Sequence, residues 1–231
     1  MNYVFASFLN KKNCPQRNIQ WPSDYKLVLP LIKTVLKNSN AEIIIFHDNL
    51  QNVPNMPRCH FKQVDISQKF AVTVERWFHY LHEIKNNEKI ENLFMVDSTD
   101  VLMLNNAFEA MKKNTLYCGS EYRWKVGDRW LKKRTKKFNI IDYNKIINEN
   151  SNKTMLNAGI VGADRNTIIN FLERLTSLHN VHSQDIILSL DMPIFNYTIF
   201  KFFKEFYETG SVVHTPYKDN ITQSQSWWKH K

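Results

Sequence analysis

Along the first hundred residues, apolar positions follow two alternating rhythms. Residues 3–8, 42–46 and 93–96 are short, nearly unbroken apolar runs rich in aromatic and β-branched side chains, as in strands buried on both faces. Between them the spacing widens to three and four. Leu27, Leu31 and Val35 predict a helix over 24–36, bent at Pro30. Phe70, Val74, Trp77 or Phe78, Leu81 and Ile84 predict another over 68–85, capped by Ser67. Strands alternating with helices imply βαβ units, hence an α/β protein with a mainly parallel central sheet flanked by helices.

The rhythm is looser afterwards. Residues 115–118 and 158–162 read as strands, and Asp164 caps a helix carrying Ile168, Ile169, Leu172 and Leu175. Residues 122–153 lack a strand pattern and read as a charged surface excursion, partly helical near 142–147. Two short helices capped by Ser183 and Asp191 follow, with Pro193 in the first turn of the second. Residues 211–213 form a late strand, and 215–231 a polar tail holding Trp227 and Trp228. No internal repeat or linker divides the chain, so one domain over 1–231 is expected.

The third apolar run ends in Asp97-Ser98-Thr99-Asp100 before Val101, Leu102 and Met103 restore apolarity. Carboxylates at the carboxyl end of a strand lie where α/β folds bind ligands. Two of them one short turn apart can share Mg²⁺ or Mn²⁺, and the cation can hold a diphosphate. The same tetrapeptide also suits a plain strand-to-turn junction or helix cap.

A net charge of +9 favours anionic partners: nucleotides, nucleic acid or an acidic membrane surface. The three cysteines, Cys14, Cys59 and Cys118, form neither a disulfide framework nor a zinc pattern, which fits a reducing compartment. Residues 1–8 lack the marks of a signal peptide, and no apolar stretch reaches membrane-spanning length. A cytoplasmic location is the resulting expectation.

The order of elements and several motifs resemble the GT-A fold glycosyltransferases, single Rossmann-like α/β domains that use a nucleoside-diphosphate sugar and usually a divalent cation. Asp97-Ser98-Thr99-Asp100 matches their D-x-x-D form, and its surroundings are similar to those of collagen-modifying and related enzymes. Met155-Leu156-Asn157-Ala158-Gly159-Ile160 resembles the segment lining the sugar-donor pocket, and Asp191-Met192-Pro193-Ile194-Phe195-Asn196 a D-Q-x-x-x-N helix start with Met192 in place of Gln. His214 resembles the late histidine that completes the metal shell, although the relatives' H-x-x-G-x-x-K-P-W pattern is not intact here.

The resemblance spans about residues 3–218 and implies a nucleotide-binding half over about 1–105 and an acceptor and sugar half over about 106–231. It implies Asp97, Asp100 and His214 as ligands to Mn²⁺ or Mg²⁺. It puts Asp191 at the sugar as the catalytic candidate, Asn157, Ala158 and Gly159 around the donor, and Arg76 and Lys218 at the diphosphate. Phe5, Ala6, Ser7, Asp48 and Ser98 are its further nucleotide contacts. The expected reaction moves a sugar, from a UDP-sugar by preference, to a hydroxyl of a glycan, glycoprotein or glycolipid. If the reaction inverts, the base candidates are Asp191, Asp185 and Glu121.

Residues 123–137 combine Arg and Lys with Trp124 and Trp130, which suits a charged glycan, a lipid diphosphate or peripheral membrane contact, and equally a solvated loop. The rival classes are a basic nucleic-acid-binding protein and a sugar nucleotidyltransferase. The first lacks any recognised nucleic-acid motif, so no nucleic-acid partner is expected. The second lacks the Gly-rich loop after the first strand, where Lys11, Lys12 and Arg17 stand without glycines.

Overall fold

The computed structural model describes residues 1–13, 18–134, 140–182, 190–216 and 224–230. Among these, the elements run β1 (Asn2–Phe8), α1 (Leu29–Asn38), β2 (Glu42–His47), β3 (Cys59–Gln63), α2 (Val72–Asn86), β4 (Asn92–Asp97), β5 (Val101–Met103) and β6 (Leu116–Lys125). They continue as α3 (Arg129–Arg134), α4 (Tyr143–Glu149), β7 (Thr154–Asp164), α5 (Arg165–His182), α6 (Asp191–Phe202), β8 (Tyr207–Glu208), β9 (His214–Pro216) and β10 (Trp228–His230).

Seven strands form one sheet in the order β3-β2-β1-β4-β7-β6-β8. The run β3-β2-β1-β4 is parallel throughout, as the βαβ rhythm requires. β7 is antiparallel to both its neighbours, β4 and β6, so the α/β sheet is mixed. A separate three-stranded sheet, β5-β10-β9, stands beside it.

Helices or the small sheet cover both faces, which explains the unbroken apolar runs. In β1, Tyr3 and Phe5 point into a core with Trp77, Tyr80, Phe171 and Phe195. Val4 and Ala6 point the other way, into a core with Ile43, Phe94, Trp227 and Trp228. Close packing is tightest at Gly162, where an added Cβ would lie 2.2 Å from the Phe94 ring.

Several boundaries differ from the sequence expectation for identifiable reasons. Residues 24–36 divide into a 3₁₀ turn, Tyr25–Leu27, capped by Asp24, and then α1, with Pro30 in its first turn, where no amide is needed. Ser67 does not cap α2, which begins at Val72. Its amide and hydroxyl instead bond the Glu75 carboxylate at 2.9 and 3.1 Å. β3 escapes the pattern because it is an edge strand with a largely polar surface. β6 and β7 extend far beyond 115–118 and 158–162, and α3 stands within the supposed excursion. The late strand is His214–Pro216, one step beyond 211–213, and the supposed polar tail contains β10. The helix proposed after Ser183 begins outside the described residues. No helix among the described residues is long and apolar enough to cross a membrane.

His179, near the end of α5, is fully buried. Burial, helped by the nearby positive charges of Arg76 and His182, pushes its pKa from 6.5 down to about 3. The neutral ring is therefore the folded form. Its contribution to stability is complete above about pH 6.5 and is lost as pH falls towards 3. Thermal melts at pH 7.5 and 5 are expected to show a smaller acid-induced drop for His179→Phe than for wild type.

Candidate metal centre and its cleft

β1 and β4 lie side by side in register, with Ser7 opposite Asp97. The Ser98 hydroxyl donates to the Ser7 carbonyl at 2.8 Å and pins the turn after β4 across the end of β1. That turn delivers Asp100 and leads directly into β5. β10 pairs antiparallel with β5, placing His230 opposite Val101, the residue after Asp100.

Two carboxylates near each other in sequence thus meet an imidazole about 130 positions later. His230 Nε2 is 3.6 Å from Asp97 Oδ2 and 3.9 Å from Asp100 Oδ1. One ligand atom from each residue falls within 4.8 Å of the others. A hard divalent ion with ligands at ~2.1 Å sets adjacent ligand atoms ~3 Å apart, so shifts of roughly 1 Å would close the cluster around it. Two carboxylate oxygens and one nitrogen form a donor set able to hold a metal ion.

Asp97 is shaped by Arg76, whose side chain is 9% exposed and whose guanidinium lies over the Trp77 ring at 4.3 Å. Arg76 Nη1 bonds Asp97 Oδ1. Nη2 donates to the Ala158 carbonyl at 3.1 Å and Asp191 Oδ2 at 3.3 Å, and Nε donates to the Thr73 carbonyl at 3.1 Å. One oxygen of Asp97 is therefore anchored and the other faces His230. Burial alone would raise the Asp97 carboxyl, but Arg76 and His230 hold it well below the usual carboxylate range.

Asp191 shares the same cation and receives a further bond from Trp77 Nε1 at 2.9 Å. Burial, with the Asp97 charge nearby, nevertheless pushes its carboxyl up to about 6 against the pull of Arg76 and Trp77. One guanidinium serves a buried acid, Asp191, and a partly exposed one, Asp97, and the acid closer to solvent keeps its charge.

A cleft of about 580 Å³ opens over these groups. Its lining draws Ser7, Phe8, Leu9, Trp21 and Thr73 from the first third of the chain, and Glu121, Trp124, Trp130, Arg134, Met155 and Met192 from the later part. Asp97, Asp100, Asn157, Gly159, Asp191 and His230 also line it. Asn157 is held at both ends: its Oδ1 accepts from Gly159 N–H at 2.6 Å and its amide donates to Glu121. Gly159 is dictated by space, since a Cβ there would stand 2.5 Å from His230 Cε1 and 2.7 Å from Asp97 Oδ2.

The sequence-derived candidates fall into three groups. Asp97, Ser98, Asp100, Ser7, Arg76, Asn157, Ala158, Gly159 and Asp191 line the cleft. Phe5 and Ala6 are sealed in the two cores, and the cleft meets β1 at Ser7 and Phe8 instead. Asp48 is fully buried and accepts the Asn10 and Lys11 amides at 2.9 Å each, fixing the segment after β1. Lys218 and Asp185 lie outside the described residues.

His214 is the main correction: it stands opposite Trp228 on β9, and the histidine among the carboxylates is His230. The two rings are 6.4 Å apart, and the His214 ring lies 4.9 Å from that of Tyr122. Burial, reinforced by His230, pushes His214 down to about 4, so it is a neutral support behind the ligand strand. In the structure Trp228 and His230 are buried while Lys229 between them is not, the two-residue period of a strand, but the sequence pattern of 215–231 reads as a polar tail.

Two substitutions test this geometry. Arg76→Met should lower unfolding stability by about 3–5 kcal/mol in denaturant titrations, because it strands two carboxylates around one vacated position. Gly159→Ala should leave the far-ultraviolet dichroism intact yet weaken Mn²⁺ binding, read by paramagnetic resonance of the free ion, at least about tenfold by displacing His230. No protein-family model matches this chain, and no curated protein matches it in sequence.

Proposed function

We propose that this protein is a metal-dependent glycosyltransferase of the GT-A type, moving a sugar from a nucleoside-diphosphate sugar, by preference a UDP-sugar, to a glycan or glycoconjugate hydroxyl. The observation carrying this reading is the convergence of Asp97, Asp100 and His230 at the floor of a cleft beyond the carboxyl ends of parallel strands. A divalent cation on those three side chains would supply Lewis-acid stabilisation of charge on a departing diphosphate.

The chain's own residues divide the remaining work. Arg76 keeps Asp97 ionised and turned, so a cation meets a preformed ligand. Trp21, Phe8 and Leu9 offer apolar side chains suited to a nucleotide base. Asn157, Ala158 and Gly159 allow close approach of backbone to a sugar, with Asp191 beneath it as the catalytic candidate. Glu121 and the two tryptophans Trp124 and Trp130 face the acceptor side, where indole surfaces stack on sugar rings. Lys218 is a further diphosphate contact in this reading.

Calorimetric titration with UDP, GDP and dTDP, in Mn²⁺ and in EDTA, tests the proposal. Micromolar, Mn²⁺-dependent binding of one nucleotide is expected. It should be lost in Asp100→Asn and in His230→Ala, and kept within about threefold in His214→Gln, whose ring lies outside the cluster. Absence of binding to all three by folded wild type would sink the reading.

A further inference from the structure

One surface feature is used only in part by the proposed reaction, which calls on its Trp124 and Trp130 and not on its basic residues. Between Glu121 and Lys125 the β6–β7 ladder slips register, and the bulge turns Tyr122, Arg123 and Trp124 outward. All three are exposed, Trp124 at 48% and Tyr122 at 43%. α3 follows with Arg129, Lys132 and Lys133 also exposed. Residues 122–134 hold six basic residues and one acidic residue, Asp128, whose carboxylate accepts the Lys125 amide at 2.7 Å.

This segment is held firmly. Val126 and Leu131 are fully buried pegs. The amides of Val126 and Gly127 donate to the carbonyls of Lys153 and Ser151 at 3.0 Å. Like charges displayed together on a fixed scaffold repel one another, a cost that an anionic partner relieves. Most of the charges stand outside the cleft. Trp124, Trp130 and Arg134 line the cleft, whereas Arg123, Lys125, Arg129, Lys132 and Lys133 lie outside it. A channel for single-stranded nucleic acid needs cations along the groove beside the stacking rings. Here only Arg134 of the six lies in the cleft, over the Trp130 ring; the other five are exposed outside it, and the half-exposed Tyr122 and Trp124 rings alternate with Arg123 and Lys125, the mixture that suits a membrane interface.

We infer that this rim docks the protein on an anionic phospholipid bilayer, with the mouth of the cleft turned towards the lipid headgroups. The contact does not depend on the transferase reading, and its failure would leave nucleotide binding untouched. Where both hold, acceptors anchored in the bilayer would reach the Trp124 and Trp130 side chains without leaving it.

Co-sedimentation of the purified full chain with vesicles tests the inference. One set contains phosphatidylcholine alone and the other equal parts phosphatidylcholine and phosphatidylglycerol. Binding to the mixed vesicles, release by high salt and little binding to phosphatidylcholine are expected. Lys132→Glu with Lys133→Glu should weaken binding at least about tenfold, and Trp124→Ala by about threefold or more. The substituted positions are exposed, and matching melting curves would show that the variants fold. As a control, Lys33→Glu with Lys37→Glu on α1 makes the same charge change away from the rim and should bind as wild type does. No binding to the mixed vesicles, or equal loss in the rim and control variants, would overturn the inference. So would release of the protein from vesicles by a single-stranded RNA oligonucleotide at lower concentration than the lipid phosphate.

Discussion

The Arg76 guanidinium is the joint on which the centre of the molecule depends. It links α2, which carries it, to the end of β4 through Asp97, to the start of α6 through Asp191, and to β7 through the Ala158 carbonyl. A buried cation without partners is prohibitively costly, and the buried Asp191 carboxylate alone is costly too. The buried guanidinium is satisfied only when Asp97, Asp191 and the Ala158 carbonyl have all arrived, which couples the relative placement of four elements. The stacking of the guanidinium on Trp77 extends the joint into the larger core. This arrangement also separates two duties that a single carboxylate serves poorly. Asp97 is held structurally by one oxygen and presents the other.

Legibility in the sequence followed the range of the interactions concerned. Asp97 and Asp100 were readable because their meaning is local: an apolar strand ending in acid. The Asn157 to Gly159 segment was singled out through its resemblance to a donor-pocket motif. Arg76 was singled out through the resemblance, in which an Arg or Lys on the helix before the acidic strand faces the donor. Its partners were not, because they arrive from 21, 82 and 115 residues away. His230 was missed because its position depends on pairing with β5, a contact that no local period reports. Asp48 shows the converse. Its position after a strand suggested a ligand contact, yet the chain turns back and its own amides satisfy the carboxylate.

The fold shows a similar division. Parallel strands buried on both faces announce themselves as apolar runs, and β1, β2 and β4 did so. The edge strand β3 and the outer part of β6 carry polar side chains because one side of each meets solvent, so composition gives them no mark. The antiparallel placement of β7 reverses the chain direction in mid-sheet, a topological choice to which side-chain periodicity is indifferent.

β10 has a consequence for how this protein responds to its ligands. Its first residue, Trp228, is fully buried against Phe94 with ring centres 5.3 Å apart, and its last, His230, faces the carboxylates. Three residues therefore join a core anchor to a coordinating group. Any occupant that engages His230 holds the strand in its slot, and any motion that withdraws Trp228 dismantles the site. Occupancy and local cohesion become two readings of one equilibrium, so ligand concentration would act on this corner of the protein as a mechanical clasp.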